Sequence, residues 1–224
     1  MTETTPLVPI KMAGSRLDRA THGLVLVHGR GASGADILGL GQALDLPNLA
    51  LAAPEAPGGT WWPTSFLAPS AQIKPWVQSG LAAIDAAIAA LIAGGLARTQ
   101  ISVAGFSQGA CLALEYAARR GDLHSAFGLS GGLLGTSDAA GPPDPALYGY
   151  RPKRFEGYTN LQGMPVLISV HQQDPHIPLK RAEDSREVFG ELGAIVETQT
   201  YPGAGHGVLN DGVASIRRVL NSAD

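Results

Sequence analysis

The sequence predicts an α/β domain built on a mostly parallel sheet with helices on both faces. Three observations carry this prediction. Continuous apolar runs such as Leu24-Val25-Leu26-Val27 and Val166-Leu167-Ile168-Ser169-Val170 read as strands buried on both sides. Between such runs stand segments with helical spacing, the clearest being Leu81, Ile84, Ile88, Leu91 and Ile92. Strand and helix patterns alternate along the chain, as crossover connections between parallel strands require.

Taken in order, Leu24–Val27 is the first strand, and the turn His28-Gly29-Arg30-Gly31-Ala32-Ser33-Gly34 leads into a helix near Asp36 to Ala43. Leu49–Ala52 is the next strand. The aromatic, proline-rich stretch from Trp61 to Pro75 reads as a structured loop, and the long amphipathic helix that follows ends at Gly94-Gly95. Ile101–Ala104 is a strand, Ala110–Ala117 a helix, and a strand follows near Ser125 to Leu129. The stretch 135–163 lacks a regular pattern and is long for a loop, as lids and site borders often are. Beyond the strand at Val166–Val170 come a polar helix from about Leu179 to Leu192, a strand at Ile195–Tyr201, and a last helix from about Gly212 to Leu220. No internal repeat or interdomain linker interrupts the order, so residues 1–224 are expected to form one domain, with 1–20 as an N-terminal segment and 135–163 as an irregular loop or minimal lid.

Composition narrows the function classes. A net charge of −3 supplies neither a basic footprint for nucleic acid nor a polybasic patch for membranes. The single cysteine excludes an internal disulfide and suits a reducing compartment. Met1-Thr2-Glu3-Thr4-Thr5-Pro6 lacks the basic start and apolar centre of a signal peptide, so a cytoplasmic location is expected. The longest apolar stretch, 80–96, reads as too short and too interrupted to span a bilayer.

The chemistry is concentrated at Gly105-Phe106-Ser107-Gln108-Gly109, which lies between a strand-like and a helix-like stretch. A serine on a sharp strand-to-helix turn is a nucleophile elbow, exposing its hydroxyl beside a helix N-terminus that favours negative charge. With 29 glycines in 224 residues, chance gives about 0.2 matches to G-x-S-x-G, so context has to decide. It does: Gly128-Leu129-Ser130-Gly131-Gly132 matches too, but no helix can start in the sequence after it.

A serine hydroxyl needs a base to take its proton and an acid to orient that base. For a nucleophile on such an elbow the chain order is serine, acid, histidine. Asp174 lies just past the strand ending near Val170, and His206 lies in the loop after the last strand. His176 is two residues from the acid, too close to reach round to its proper partner face. A developing oxyanion needs backbone donors. The amide of Gln108 supplies one, and the loop after the first strand, through the amide of Arg30, supplies the other.

Val27-His28-Gly29-Arg30-Gly31-Ala32, Gly105-Phe106-Ser107-Gln108-Gly109, Asp174-Pro175-His176-Ile177-Pro178 and Gly203-Ala204-Gly205-His206 together resemble the phospholipase/carboxylesterase family of α/β-hydrolases, which includes the acyl-protein thioesterases and has dienelactone hydrolases as structural cousins. The resemblance runs from about Leu24 to the C-terminus. It implies an α/β-hydrolase fold with a sheet of about seven strands, no cofactor, a small-molecule ester substrate and possible homodimers. It also implies a Ser107–Asp174–His206 triad with the Arg30 and Gln108 amides as oxyanion hole. The expected activity is serine carboxylesterase on short to medium acyl or aryl esters, with acyl-thioesterase or lysophospholipase activity as the alternative. Trp61, Trp62 and Phe66 are candidate walls of the substrate pocket, core filling being their other reading. His171-Gln172-Gln173 departs from the small, glycine-containing approach to the acid usual in the family, and 135–163 is longer than in compact members.

Other residues have plainer readings. His28 braces the oxyanion loop, the Arg30 side chain is solvated or salt-bridged, and Cys111 is a small core residue. His171 and His176 flank Asp174, but without further ligands nearby no metal is expected. The rival class is a dinucleotide-binding oxidoreductase: Gly29-Arg30-Gly31-Ala32-Ser33-Gly34 matches G-x-G-x-x-G, with Glu55 about 20 residues on. Glu55 stands past Pro54, off the strand tip, and that reading leaves Ser107, Asp174 and His206 unexplained. A fluorophosphonate probe should therefore label Ser107, and Ser107→Ala should lose label and esterase activity while staying folded. Mass spectrometry placing the label on Ser130 would reverse the choice of elbow.

Overall fold

A computed structural model of the protein describes residues 8–221; the Met1–Pro6 segment lies outside them. The chain forms β1 (Ile10–Gly14), β2 (His22–Val27), α1 (Gly34–Ala43), β3 (Leu49–Pro54), α2 (Ser70–Ala93), β4 (Ile101–Phe106), α3 (Gln108–Arg120) and β5 (Ala126–Leu129). Then follow β6 (Ser137–Asp138), β7 (Lys153–Arg154), β8 (Pro165–Gln173), α4 (Leu179–Glu191), β9 (Ile195–Ala204) and α5 (Asn210–Asn221). Seven strands make one sheet in the order β1-β3-β2-β4-β5-β8-β9, with β1 antiparallel to β3 and every other pair parallel.

Alternation along the buried strands divides the core in two. Val25 and Val27 point to the side covered by α2, α3 and α4, while Leu24 and Leu26 point to the side covered by α1 and α5. Every residue of β2 and β3 is buried. Apart from His22 at the start of β2, their side chains are therefore apolar in both directions, and the sequence shows runs instead of alternation.

The structure departs from the sequence reading where punctuation or exposure hides an element. β1 is a half-exposed edge strand carrying Lys11 and Met12, so it has no buried run to announce it. α2 begins at Ser70, inside the stretch read as loop, because Pro75 sits within the helix. A proline there costs roughly 3 kcal/mol. Burial of Ile73 and Val77, at about 1.5–3 kcal/mol for each side chain, offsets it. The complete 24-residue α2 is long and apolar enough to span a bilayer by length and composition, so the exclusion by length does not hold. What distinguishes it is burial of its apolar face against the sheet and α3.

The 135–163 excursion is more ordered than its sequence suggests. β6 and β7 pair antiparallel, with Asp138 opposite Lys153. The buried Lys153 ammonium donates to Asp138 at 2.5 Å, the Ala68 carbonyl at 2.6 Å and Ser70 Oγ at 3.1 Å. Pro69 gives α2 no side-chain cap, so Asp138 provides one from a distance, accepting from the Ser70 amide at 3.1 Å. Upstream, the buried Glu115 carboxylate accepts from the amides of Leu134 (3.0 Å) and Gly135 (3.2 Å) and from the Tyr158 hydroxyl (2.9 Å).

Two glycines of α1 test the packing with opposite signs. Gly39 is exposed with nothing within 4 Å of an added Cβ, whereas a Cβ on Gly41 would lie 2.7 Å from methyls of Leu26 and Leu51. Gly39→Ala should stabilise by about 0.5–1 kcal/mol and Gly41→Ala should destabilise by about 1–3 kcal/mol, as read from urea midpoints.

Candidate active site

The end of β4 and the start of α3 are joined by Ser107 alone, at φ +56° and ψ −118°. For a residue with a side chain that conformation costs about 1–3 kcal/mol, so the surroundings must hold it. The flanking glycines make the close approach possible. A Cβ on Gly105 would lie 2.2 Å from the Gly109 carbonyl oxygen, and one on Gly109 would lie 2.0 Å from the Val27 carbonyl oxygen. The Ser107 amide donates to the Leu129 carbonyl at 2.9 Å, tying the turn to β5.

His206 and Asp174 arrive from the two neighbouring strand ends. β8 runs to Gln173, so Asp174 follows it directly, and His206 stands two residues past β9. His206 Nε2 lies 2.7 Å from Ser107 Oγ, and His206 Nδ1 lies 2.8 Å from Asp174 Oδ2 and 3.0 Å from Oδ1. Asp174 is buried, and its Oδ1 also accepts from the amides of His176 (2.8 Å) and Ile177 (3.0 Å). Burial by itself would raise the carboxyl pKa. The hydrogen bond from His206 and the two amides outweigh it, so Asp174 titrates below its ordinary value of 3.8. A carboxylate that stays ionised beside Nδ1 fixes the imidazole with Nε2 facing the serine as acceptor.

This chain of hydrogen bonds opens into a cleft of about 610 Å³. Its floor includes Gly29, Arg30, Ser107 and Gln108, and its walls carry Trp62, Phe66, Tyr148 and Tyr150. The amide of Gln108 is the first in α3, where no helical carbonyl exists to accept it. In the other loop the amides of Gly31 and Ala32 are already engaged, by the carbonyls of Gly59 (2.8 Å) and Gly29 (3.2 Å).

Trp61 requires a correction. It does not line the cleft; its indole N–H donates to the His28 carbonyl at 2.9 Å and its ring packs on the His28 imidazole at 5.1 Å. Trp61 packs as scaffold behind the loop that begins at His28, and Trp62 and Phe66 alone of the three line the cleft. Sequence reasoning missed the wall formed by Tyr148 and Tyr150, which lie in the excursion, and it missed the Gln108 side chain. That amide accepts from the Trp61 amide at 2.8 Å and donates to the Trp62 carbonyl at 2.8 Å, fastening the aromatic loop to the elbow.

The sequence profile of the dienelactone hydrolase family matches residues 70–220. The chain belongs to the dienelactone hydrolase family. Its structure is similar to that of a phospholipase/carboxylesterase from Dyadobacter fermentans, 33% identical, covering 96% of each chain with a TM-score of 0.81. It is also similar to esterase PE8, at 25% identity over 96% of this chain and 98% of that one, with a TM-score of 0.73. A Bacillus cereus carboxylesterase, 16% identical over 98% of this chain and 96% of that one, has the same fold at a TM-score of 0.74. Among curated protein sequences none matches. The fold is thus the α/β-hydrolase fold, and the protein is a hydrolase of this family.

Within that family framework the remaining sequence features fall into place. The glycine-rich turn packs on the elbow, a Cβ on Gly29 meeting Phe106 at 3.2 Å, and Glu55 is paired with Lys11 at 3.3 Å. The dinucleotide reading loses both of its parts. Ser130, in the second G-x-S-x-G, is buried at the end of β5, and its hydroxyl donates to the Gly207 carbonyl at 3.3 Å, next to His206. His28 is buried, accepting from the Ala56 amide through Nε2 at 3.0 Å. The exposed Arg30 guanidinium, read as solvated or salt-bridged, also donates to the carbonyls of Pro63 (3.0 Å) and Thr64. His171 packs at a tilt against Tyr201 and His176 edge-on against His206, and no group of three metal-ligating side chains converges among the described residues.

Because the folded Asp174 carboxyl titrates below the unfolded one, the unfolded chain binds more protons at acid pH. The stability this group contributes is present above about pH 3.8 and lost as pH falls through the lower folded value. Tm measured from about pH 5 to about pH 2 should therefore fall less steeply in Asp174→Asn than in the wild type.

Proposed function

We propose that the protein is a serine carboxylesterase acting on short to medium acyl or aryl esters. The observation that carries this reading is the continuous hydrogen-bonded chain from the buried Asp174 carboxylate through His206 to Ser107 Oγ, opening into an aromatic-walled cleft. Similarity to the Dyadobacter fermentans phospholipase/carboxylesterase and to esterase PE8 supports the ester class.

Ser107 Oγ attacks the ester carbonyl carbon while its proton passes to His206 Nε2. The carbonyl oxygen becomes an oxyanion, held by the amides of Gln108 and Arg30. Asp174 stabilises the imidazolium through Nδ1–H. Collapse of the tetrahedral intermediate breaks the bond to the alcohol oxygen, which takes the Nε2 proton and leaves. Water, deprotonated by the same nitrogen, attacks the acyl-serine; the acid departs and Ser107 recovers its proton. No step requires a cofactor. Each oxyanion donor contributes about 2.7–4 kcal/mol to such a transition state. The fixed elbow therefore matters as much as the nucleophile.

The substrate class is tested by kcat/KM over an acyl chain-length series of esters and matched thioesters. His206→Ala should lower kcat by several orders of magnitude. Trp62→Ala and Phe66→Ala should change the ratio of long- to short-chain kcat/KM by about 1–3 kcal/mol of discrimination. An unchanged ratio with a lowered Tm would assign both rings to scaffold. Thioesters outpacing their matched oxygen esters would move the protein to the thioesterase class.

A further inference from the structure

Tyr148 is the one side chain that both lines the cleft and bonds the acid's backbone: its hydroxyl donates to the Asp174 carbonyl oxygen. Every other polar contact of Asp174 is local to its loop or belongs to the base. Its amide donates to the His171 carbonyl at 3.2 Å, and its carboxylate takes the His176 and Ile177 amides and His206 Nδ1. Among the described residues, Tyr148 alone fixes the acid's peptide from another part of the chain.

The tyrosine is itself firmly mounted. Residues 144–150 close on themselves: the Asp144 amide donates to the Tyr150 carbonyl at 2.9 Å, the Gly149 amide to the Asp144 carbonyl at 2.9 Å and the Ala146 amide to Asp144 Oδ1 at 2.8 Å. Leu147 is buried beneath this turn, and Tyr148 stands at its tip with φ +55°. The excursion carrying the turn is held upstream by Asp138 on the Ser70 amide and by the Leu134 and Gly135 amides on Glu115, and downstream by Lys153 on the Ala68 carbonyl. Burial and the nearby Asp174 charge push the phenol pKa up, so the hydroxyl remains a protonated donor at neutral pH.

We propose that Tyr148 is a positioning residue: its hydroxyl holds the Asp174 peptide so that the carboxylate stays in register with His206, while its ring forms part of the substrate wall. The excursion thereby serves catalysis by orienting the acid as well as by bordering the cleft. A substrate group packed on the ring presses on the same side chain that sets the acid.

This inference rests on the proposed triad, and the test separates the two. Tyr148→Phe keeps the ring and removes only the hydroxyl. It should lower kcat roughly tenfold with KM within about twofold, and should slow fluorophosphonate labelling of Ser107 by the same factor as kcat. Tm should be unmoved, since the side chain is 45% exposed. The far-downfield NMR resonance of the His206 Nδ1 proton should shift or broaden. Tyr148→Ala, which also loses the ring, should raise KM in addition. Wild-type kcat, labelling rate and resonance in Tyr148→Phe, with a wild type that labels at Ser107, would overturn this inference alone. A wild type that neither labels nor hydrolyses esters would overturn the triad reading and this inference with it.

Discussion

The first turn of α3 comes so close to the end of β2 that only a glycine fits between them: a Cβ at Gly109 would meet the Val27 carbonyl oxygen at 2.0 Å. That approach sets the rest of the site. It brings Gln108 beside the loop that begins at His28, so residues from two separate connections line one cleft. It also forces the chain to reverse within a single residue, which lifts Ser107 into a left-handed conformation above the sheet. Catalysis by oriented donors depends on dipoles fixed before the reaction begins, because reorganising them later would consume the stabilisation they give. In the proposed mechanism that fixing is done by the backbone contact between Gly109 and Val27.

Gln108 extends this rigidity sideways. Its backbone faces the cleft, while its side chain binds the Trp61 amide and the Trp62 carbonyl. Trp61 passes the connection on to the His28 carbonyl, and His28 passes it to the Ala56 amide. The elbow, the aromatic wall and the loop that begins at His28 are thus linked by one buried chain of hydrogen bonds. Such networks are stabilising when complete and costly when broken, since each orphaned group costs about 1–3 kcal/mol. The same economy explains Ser130. A second serine motif with no helix behind it became a strut at the His206 loop.

Much of this was legible in the sequence. The buried central strands appear as apolar runs, and the order of Ser107, Asp174 and His206 follows from where strands end, a property that local pattern reveals. Hidden were features set by distant partners. β1 carries no burial signal because an edge strand is half solvated. α2 was truncated in the reading because Pro75 counts locally as a breaker, whereas its cost is offset by burial of Ile73 and Val77 against a sheet far along the chain. Trp61 and Trp62 are adjacent and identical in type, and only the fold assigns one to the core and the other to the cleft. Tyr148 gave no signal at all, because its partner is a backbone carbonyl 26 residues away.

The excursion between β5 and β8 is a wall, and the energetics of its anchors say why. Lys153 is buried with its ammonium on Asp138, the Ala68 carbonyl and Ser70. Glu115 is buried with the Leu134 and Gly135 amides, and Tyr158 closes over it. Burial alone would disfavour both charges: it lowers the Lys153 pKa and raises that of Glu115. Lys153 is therefore held by Asp138 within the excursion and by Ala68 and Ser70 outside it, and Glu115 by the excursion's amides and Tyr158 together with Arg119 of its own helix at 2.7 Å. Lifting the segment off the domain would take Asp138 from α2 and the amides and Tyr158 hydroxyl from Glu115 together, and each buried polar group left without a partner costs about 1–3 kcal/mol. With two such anchors, the aromatic wall carrying Tyr148 and Tyr150 is tied to the domain at both ends of the excursion.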